Sequence, residues 1–596
     1  MRKSPVATSG LRVVLAALTV LPAMAAPPSP EYELMFEDDF NGNKVDESVW
    51  MYREGPRKSG TWINGLNRKE NVFVEGGNLV IRAKVEEIGG RTENTGGGVI
   101  SKSTFGYGYY ETRSKPFMDG KGVHSAFWQA GEYLDGKWNG NNRVFEIDSY
   151  EIDSGHWVGA NNLYVHICPE NMAEMPWPYR NGLVFKLDRG GWWIDAYEYT
   201  PEGVTFFEHG KVVGHADFKD LAAQQVVWLT ALNGCGKVDA SKQPGDTFFD
   251  YFRYYAKNFP GHNLLPNGDF EYNHDKTPQS PVAWHQEGTS GALTIIKGDA
   301  ARDAYHLRVG NGEDFDVRLF QKLPHIRNGA YQMTAMVRNP GGKVRASLQA
   351  NGRTLEIPAA EAWTPVQLDV PVTAKSAEIG LTAVGDTGNA LFIDDIRFGK
   401  PVPPGQPEPP RRPFTLERDP IWQIAMDAPV EFTGDSSFFF ISRDVGYGDA
   451  MTLKVDLTPK VRASMCPITR APAGGTNGWA LVLGEKGELA FRIGSKKDFT
   501  EVVAPRAYSP GKTLKVRCVY QQGTASIFID GRKVAEETGI PQGVKDSTQA
   551  GTFGATLSGF DAVGEVMGAS TNKPKGKSRN YVGTISNLQI HNRVAE

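Results

Sequence analysis

The sequence consists largely of short runs in which apolar and polar residues alternate and which end at Gly, Asn or Asp. Gly77–Lys84 and Gly203–Glu208 are two of these runs. Alternation places every second side chain on one face of a β-strand, and the residues that end each run favour tight turns. Because 596 residues exceed what one hydrophobic core can hold, three or four domains are expected. The runs predict an all-β protein built mostly of β-sandwich (jelly-roll) domains, and the units defined below place three of them in series.

Changes in composition divide the chain into units. The first unit is predicted over residues 31–257 and the second over 263–398. Residues 399–413 are rich in proline, which favours the extended polyproline II conformation of a semi-rigid linker. The third unit is predicted over 414–596, where Asp530-Gly531 is typical of a hairpin turn between two strands.

The first 26 residues have the pattern of a cleavable export signal. Arg2, Lys3 and Arg12 form a positive start, and Val13–Leu21 is a short apolar stretch. Ala23-Met24-Ala25 then fits a cleavage site with small residues on both sides. An N-terminal membrane anchor is the alternative, but the apolar stretch is shorter than the ~20 residues that span a bilayer. We therefore expect a secreted or periplasmic protein with no membrane insertion.

Charge and cysteine content exclude some classes of protein. The net charge is −4, which does not favour a nucleic-acid partner. The four cysteines are Cys168, Cys235, Cys466 and Cys518, and none has the spacing of a zinc site. Cys168–Cys235 and Cys466–Cys518 are the disulfide pairings that respect the predicted domains. Buried free thiols are the alternative, and the sequence does not decide between them.

The run from Val144 to Asp153 places acidic residues among strand-forming ones. Glu146 and Asp148 share a face of a strand, because alternate side chains point the same way. Glu151 is an odd number of steps from Glu146, so a regular strand would turn it away. One β-bulge between Asp148 and Glu151 would bring it back to the same face. A solvated acidic face and a calcium site are the alternatives, although calcium ligands usually lie on loops.

The acidic motif and its context resemble family 16 of the glycoside hydrolases. Glu146–Glu151 is similar to that family's Glu-x-Asp-x-x-Glu signature. Gly106–Arg113, His124–Trp128 and Asp250–Tyr255 resemble its neighbouring strands. The resemblance covers most of residues 31–257 and implies a concanavalin-like jelly roll with a cleft for polysaccharide. It also implies roles for the acids, with Glu146 the nucleophile, Glu151 the acid/base and Asp148 a hydrogen-bond partner of the nucleophile.

A polysaccharide cleft needs aromatic platforms and polar partners. The candidate substrate-binding residues are Trp62, Arg68, Trp128, Trp138, Trp157 and His166. Simple packing is the alternative for each tryptophan, and a structural role is the alternative for His166. At most one of the adjacent Trp192 and Trp193 can face the cleft if they lie in a strand. We rank His124 and His156 below His166.

The second and third units resemble accessory modules. Asn267–Glu271 and Ile393–Ile396 are similar to the ends of galactose-binding-like carbohydrate-binding modules. That resemblance makes Glu271 and Asp395 candidate ligands of a structural calcium ion, with turn capping as the alternative. The third unit resembles a laminin-G-like, concanavalin-like sandwich, through Ser526–Val534 and the closing strand. Either accessory unit could bind glycan.

Together these patterns predict an endo-acting, retaining glycoside hydrolase that needs no cofactor for catalysis. The expected substrate is a β-linked polysaccharide, with β-1,3- or mixed-linked glucan favoured slightly. Algal galactans are the alternative, as for an agarase, porphyranase or carrageenase, because Ser149-Tyr150 departs from the form of the motif common in laminarinases. Arg68, Arg143 and Arg180 are candidates for recognising sulfate on such a galactan. A non-catalytic lectin and a transglycosylase are further alternatives.

Overall fold

The structure is a computed structural model, and β-strands make up most of the residues that it describes. The residues that it describes are 27–59, 63–134, 137–139, 145–154, 158–165, 183–186, 191–217, 220–272, 281–409, 422–426, 430–433, 439–441, 450–470, 478–495, 498–540, 566–567, 579–591 and 594. The predicted export signal lies outside them. Within this described part, no helix has both the length and the apolar character to cross a membrane.

In its described residues, the first region has nineteen strands and two short 3-10 helices, Lys69–Asn71 and Ala240–Lys242. The strands are β1 (Glu33–Asp38), β2 (Trp50–Tyr52), β3 (Gly55–Ser59), β4 (Ile63–Asn67), β5 (Val72–Glu75), β6 (Asn78–Ile88), β7 (Arg91–Phe105), β8 (Gly108–Lys115), β9 (Val123–Ala130), β10 (Glu132–Leu134), β11 (Lys137–Asn139), β12 (Phe145–Asp153), β13 (Val158–Val165), β14 (Leu183–Lys186), β15 (Trp193–Thr200), β16 (Gly203–Glu208), β17 (Lys211–Asp217), β18 (Gln225–Asn233) and β19 (Gly245–Ala256).

Two antiparallel layers form this region. The front sheet has the order β2-β7-β18-β9-β12-β13-β14. The back sheet has the order β6-β19-β8-β15-β16-β17, with β5 beside β6 and β1 also paired to β19. Alternate residues of both sheets, among them Phe127, Ile147, Tyr197 and Phe252, are fully buried in the shared core. The other face of the front sheet is left for the candidate site.

The second region is a sandwich with a core of its own. Its strands are β20 (His285–Gly288), β21 (Leu293–Lys297), β22 (Tyr305–Val309), β23 (Phe315–Pro324), β24 (Gly329–Asn339), β25 (Arg345–Ala350), β26 (Arg353–Glu356), β27 (Ala360–Val372), β28 (Ser376–Gly385) and β29 (Leu391–Gly399), with a 3-10 turn at Pro340–Gly342. They form two five-stranded sheets, β20-β23-β28-β25-β26 and β21-β22-β29-β24-β27. After β29, residues 400–409 of the predicted linker hold neither helix nor strand.

His325 joins the second region to the first. Its ring stacks on Phe105 with centroids 4.7 Å apart, and its Nε2 lies 2.8 Å from the Ser103 hydroxyl. Burial lowers the pKa of His325 to about 4, so the ring is neutral near neutral pH. Arg327 adds an ion pair with Glu33 at 2.9 Å. The second region is therefore held by side chains packed against the first.

The third region is joined differently, through backbone pairing. Its strands are β30 (Trp422–Met426), β31 (Val430–Thr433), β32 (Phe439–Ile441), β33 (Ala450–Pro459), β34 (Met465–Arg470), β35 (Gly478–Leu483), β36 (Leu489–Ser495), β37 (Asp498–Ala504), β38 (Leu514–Gln521), β39 (Thr524–Ile529), β40 (Arg532–Thr538), β41 (Val566–Met567), β42 (Arg579–Asn580) and β43 (Val582–His591). β30 pairs with β17 and β32 pairs with β14. Both sheets of the first region thus continue into strands of the third.

The cysteines correct one of the two disulfide alternatives. Cys466 lies in β34 and Cys518 in β38, which belong to different sheets, and no bond joins them. The proposed Cys466–Cys518 disulfide is therefore wrong. Cys518 is a fully buried thiol, and burial raises its pKa. Cys235 is also a buried thiol outside any disulfide, while Cys168 lies outside the described residues.

Candidate active site

The predicted bulge is present in β12. On β13, Glu146 is opposite Tyr164 and Glu151 is opposite Ala160, with a register shift between Asp148 and Glu151. On β9, Glu146 is opposite Ala130 and Glu151 is opposite Ala126. The five steps from Glu146 to Glu151 therefore match four steps on each neighbouring strand. This even spacing puts both glutamates on the same face of the sheet.

Burial along β12 agrees with that register. Ile147, Tyr150 and Ile152 are at most 1% exposed and belong to the core between the two sheets. Glu146, Glu151 and Asp153 are partly exposed on the opposite, front face, where Asp148 is buried. We call Glu146, Asp148, Glu151 and Asp153 the front-face carboxylates. Tyr150, one of the two residues that depart from the laminarinase form, is thus a core residue.

Neighbouring strands contribute side chains to the same face. Residues directly opposite each other in an antiparallel sheet point the same way. On β9, His124 is opposite Asp153 and Trp128 is opposite Asp148. On β18, Trp228 is opposite Trp128 and Thr230 is opposite Ala126. The prediction that Trp128 lies on a strand adjacent to the acidic one is confirmed.

His124 links two of the front-face carboxylates. Its Nδ1 lies 2.9 Å from Asp153 Oδ1, and its Nε2 lies 3.1 Å from Glu151 Oε1. Burial of the ring acts to lower the pKa of His124, but the charge of Asp153 and the hydrogen bonds to Asp153 and Glu151 outweigh it and raise this pKa to about 9. The imidazole is therefore protonated near neutral pH and donates to both carboxylates.

An aromatic pair lies beside the carboxylates. The rings of Trp128 and Trp228 are stacked with centroids 4.5 Å apart and planes 18° apart. Trp128 Nε1 donates to the Thr230 hydroxyl at 3.2 Å, and Trp228 Nε1 donates to a backbone carbonyl at 3.0 Å. The Arg53 guanidinium carbon lies 5.6 and 5.1 Å from the two ring centroids. A cation over aromatic faces is stabilised by their quadrupoles.

Gly98 allows β7 and β18 to lie close together beside the aromatic pair. It lies on β7 opposite Thr230. A Cβ at Gly98 would lie 2.7 Å from Leu229 O and from Thr230 Cγ2, closer than real Cβ contacts. Any larger residue would therefore force β7 away from β18, next to the strand that carries Trp228. Gly98 is required for the close approach that seats the aromatic pair.

Of the other predicted site residues, some lie away from the front-face carboxylates and the rest lie outside the described residues. Arg68 binds Glu86 at 3.3 Å and Glu70 at 3.2 Å, so its charge is matched within the protein. Trp193 begins β15 of the back sheet, and Trp192 precedes it against the Arg113 guanidinium, so neither belongs to the front sheet. Those that lie outside the described residues are Trp62, Trp157, His166, Arg143, Arg180, His156 and the side chain of Trp138.

A second set of acids lies in the second region. We call Asp269, Glu271, Asp394 and Asp395 the buried acidic cluster, in which Asp394 and Asp395 are buried and the other two are half-buried. Glu271 Oε1 accepts the backbone N–H groups of Ala304 and Tyr305 at 2.9 and 2.7 Å. Asp395 Oδ2 accepts from Arg302 Nε at 2.8 Å. Both candidate calcium ligands therefore bind hydrogen-bond donors of the chain.

Glu271 accepts backbone hydrogen bonds as a turn-capping acid does, and the calcium site stays a prediction. Among the described residues, no three His, Cys, Asp or Glu side chains are grouped as a metal site requires.

The two tryptophans of the second region, Trp284 and Trp363, differ in their exposure. Trp284 is 6% exposed within the core, whereas Trp363 is partly exposed beside Arg338.

Sequence reasoning ranked His124 low and did not single out Asp153, Trp228 or Arg53. His124 precedes Glu151 by 27 residues, and only the register between β9 and β12 brings the two together. That register could have been approached from sequence, because His124–Trp128 and Glu146–Glu151 were both expected on adjacent strands. The position of the bulge, however, decides which residue of β9 meets which acid. Arg53 directly follows β2, and three strands (β7, β18 and β9) lie between β2 and β12.

The fold and the front-face site define a class of protein: an all-β chain whose first region is a two-sheet sandwich with an acidic, aromatic-lined face. No model of a known protein family matches the chain. Among curated proteins the chain is similar to the clotting factor G alpha subunit of Tachypleus tridentatus, with 24% identity over 241 residues, 38% of this chain and 34% of that protein. The match thus spans about a third of the relative's length.

Two solved structures are also similar to the chain. One is the laminarinase catalytic domain from Thermotoga maritima MSB8, at 20% identity and a TM-score of 0.32, covering 38% of this chain and 99% of that one. The other is SCLam, a non-specific endo-beta-1,3(4)-glucanase from family GH16, at 24% identity and a TM-score of 0.32. That match covers 39% of this chain and 94% of SCLam.

Proposed function

We propose that the protein is an endo-acting, retaining glycoside hydrolase that cleaves a β-linked glucan. The observation that carries the proposal is the bulge in β12, which gathers Glu146, Asp148 and Glu151 on one face beside a stacked tryptophan pair. Cleavage of a glycoside needs one carboxylate that attacks and one carboxylic acid that protonates the leaving oxygen. Both groups are available on the front face.

In the proposed reaction Glu146 attacks the anomeric carbon and Glu151 protonates the leaving oxygen. Water then opens the glycosyl-enzyme while Glu151 takes the water's proton. Retention requires the two carboxyl groups to be about 5–5.5 Å apart. Their even separation on the sheet lets both side chains lean over the same sugar. Asp148 is buried between them on the same strand and in this proposal would hold Glu146 in its attacking orientation.

Substrate binding is assigned to the aromatic pair. A sugar ring stacks well on an exposed aromatic face, and polar neighbours then fix its orientation. Trp128 is partly exposed and its indole is fixed by Thr230 and by Trp228. Since Trp128 is opposite Asp148, a sugar stacked there would lie over the carboxylates.

We favour β-1,3- or mixed-linked glucan as the substrate. The strand blocks Gly106–Arg113 and His124–Trp128 resemble those of laminarinases. The departure at Ser149-Tyr150 weighs less than the sequence suggested, because both side chains are 1% exposed and Tyr150 packs in the core. Tyr150 therefore does not line the face on which a polysaccharide would bind.

A galactan that carries anionic groups is the second candidate. Arg53 favours it, because this guanidinium lies over the aromatic pair on the front face. Guanidinium groups pair with sulfate-like anions through a planar fork of donors. On a neutral glucan Arg53 would serve instead as a hydrogen-bond donor to hydroxyls.

A screen with two variants tests the proposal. The parent protein, Glu146→Gln and Glu151→Gln are assayed for reducing ends on laminarin, mixed-linkage glucan, agarose, porphyran and carrageenan. We expect the parent to cleave a β-glucan and both variants to lose that activity. Turnover of a galactan alone would select the second candidate. Binding without turnover by the parent would indicate a lectin, and wild-type turnover by either variant would refute the assigned roles.

Export across a membrane is proposed from the N-terminal pattern. N-terminal sequencing of the secreted protein would identify the cleavage point near Ala25.

The second region offers two further proposals. Glycan binding by the accessory regions is proposed for Trp363, which is partly exposed, and not for the buried Trp284. A calcium ion at Glu271 and Asp395 would first have to displace their hydrogen-bond donors, so added calcium is expected to change the unfolding temperature little.

A further inference from the structure

The His124 imidazole is in hydrogen-bond contact with Glu151 on the front face. The two residues come from different strands, and their side chains meet diagonally across β9 and β12. Glu151 is opposite Ala126, two residues along from His124, so the small alanine leaves room for the imidazole to reach the carboxyl group. The Nε2–Oε1 distance of 3.1 Å is that of a hydrogen bond.

Asp153 fixes the other side of the ring. It is directly opposite His124, and its carboxylate accepts from Nδ1 at 2.9 Å. The His124 side chain is 10% exposed, against 27% for Glu151 and 24% for Asp153. The ring therefore has one orientation, with Nδ1–H bound to a carboxylate and Nε2 directed at the acid/base. An orienting partner on one nitrogen determines which proton the other nitrogen can exchange.

We propose that His124 is a positioning residue that shares one proton with Glu151 and keeps it available for the leaving group, with Asp153 holding the imidazole in place. This inference rests on the proposed function, since it assigns a partner to the acid/base of that reaction. It makes Asp153, His124 and Glu151 a hydrogen-bonded relay across two strands.

The proton balance of the relay is closed. In one form the imidazole carries both protons and Glu151 is a carboxylate. Transfer of the Nε2 proton to Glu151 Oε1 gives a neutral imidazole and a carboxylic acid, and the net charge of the three groups is unchanged. Glu151 then gives that proton to the leaving oxygen as the glycosidic bond breaks and the bond to Glu146 forms. The water that opens the glycosyl-enzyme returns a proton to Glu151, which restores the relay.

The surroundings favour retention of the shared proton. Asp153 and Glu151 face the ring from β12, and from β18 the residue opposite His124 is the apolar Leu232. The Cys235 thiol follows β18 and is kept protonated by burial, and the charges of Asp153, Glu151, Arg57 and Arg53 all act on it. The raised pKa of His124, about 9, means that the proton stays on the relay through neutral pH. An isolated glutamic acid would lose it several pH units lower.

The pH profile of kcat/KM for His124→Gln tests the inference on whichever polysaccharide the parent hydrolyses. Glutamine keeps a donor for Glu151 but cannot hold or release a proton. We expect the alkaline limb of the profile to move to lower pH by at least about one unit, which is about tenfold lost activity at the alkaline end. At pH 5, where Glu151 can be protonated directly, the loss is expected to be small. Asp153→Asn should move the limb in the same direction and by less.

A matched control has a similar pair away from the front face. His262 Nδ1 lies 2.7 Å from Asp220 Oδ1, and His262→Asn is expected to leave the profile unchanged. An unchanged profile in His124→Gln would overturn the inference, and so would a shift to higher pH, which would mean that His124 acts only as a positive charge. If His124→Gln does not fold, Asp153→Asn alone decides by the same criterion. A parent without hydrolysis on any polysaccharide would instead overturn the proposed function.

Discussion

The front-face carboxylates and the buried acidic cluster are both groups of four acids, but the chain surrounds them differently. On the front face, three of the four side chains are partly exposed and a protonated histidine lies between two of them. In the second region, Asp394 is fully buried and Glu271 accepts two backbone N–H groups. Acids held by backbone donors stabilise turns, whereas acids that share a face with titratable partners remain available for chemistry.

The protonation of the two groups follows the same division. Burial raises the pKa of Asp269 to about 6, and those of Glu271 and Asp394 to about 7. Among the described residues, only Asp395 of these acids forms ion pairs with basic side chains. It binds Arg302 at 2.8 Å and makes a longer contact with Arg397 at 3.9 Å. On the front face it is the base, His124, whose pKa is raised. In the buried acidic cluster, burial favours the uncharged form of the acids. On the front face, a protonated histidine that can donate a proton balances the charge of the carboxylates instead.

The largest expected effect separates the two groups by activity. Glu151→Gln should lower kcat by about 10²–10⁴-fold, the usual contribution of a general acid/base. Its unfolding free energy should fall by about 1–3 kcal/mol, because Glu151 is hydrogen-bonded to the protonated His124. The matching variant Glu271→Gln should leave kcat unchanged. Equal losses of activity in both variants would remove the distinction between the groups.

The next effect is the pH dependence of the second region. Because Asp269, Glu271 and Asp394 have pKa values raised in the folded state, the folded protein binds more protons than the unfolded chain between about pH 4 and 7. Stability should therefore rise as pH falls from 8 to 5, by on the order of 3 kcal/mol for the three groups together once solvent screening of the partly exposed Asp269 and Glu271 is allowed for. Calorimetry at the two pH values measures this, and Asp394→Asn should flatten the difference. A transition that strengthens at alkaline pH would contradict it.

Removal of a capping carboxyl should have a smaller effect. At pH 5, Glu271→Ala leaves the N–H groups of Ala304 and Tyr305 without their acceptor, at a cost of about 1–3 kcal/mol. Glu271→Gln keeps a carbonyl oxygen in the same place and is the control. Chemical denaturation of the two variants compares them directly. A stable Glu271→Ala protein would show that the carboxyl group does not cap this turn.

The smallest effect is expected from the cation of the buried acidic cluster. The Arg302 side chain is 45% exposed, so its ion pair with Asp395 is screened by solvent. Arg302→Gln should cost about 0–1 kcal/mol in unfolding free energy and nothing in activity. His124→Gln, in contrast, should change the pH profile of the reaction. If thermal unfolding shows a loss for Arg302→Gln well above that range, the arginine is structurally more important than its exposure indicates.

Residue types and their parity were enough to predict the position of the bulge. The apolar residues Ile147 and Ile152 are separated by an odd number of steps yet share the core, and only an extra residue allows this. The all-β fold was predictable for the same reason, because alternation is a local signal. The sequence alone does not show which residues lie opposite each other on strands that are distant in the chain. The contact of His124 with Glu151 and the separation of Cys466 from Cys518 both depend on that register.

The pairing of β30 with β17 and of β32 with β14 has a practical consequence. A first region produced without the third would have two open strand edges, each a row of unpaired backbone donors and acceptors. Such edges are templates for strands of other molecules. A shortened protein that ends before the Pro-rich linker is therefore expected to self-associate. Lysine or proline substitutions in β14 and β17 would block these edges in a shortened protein.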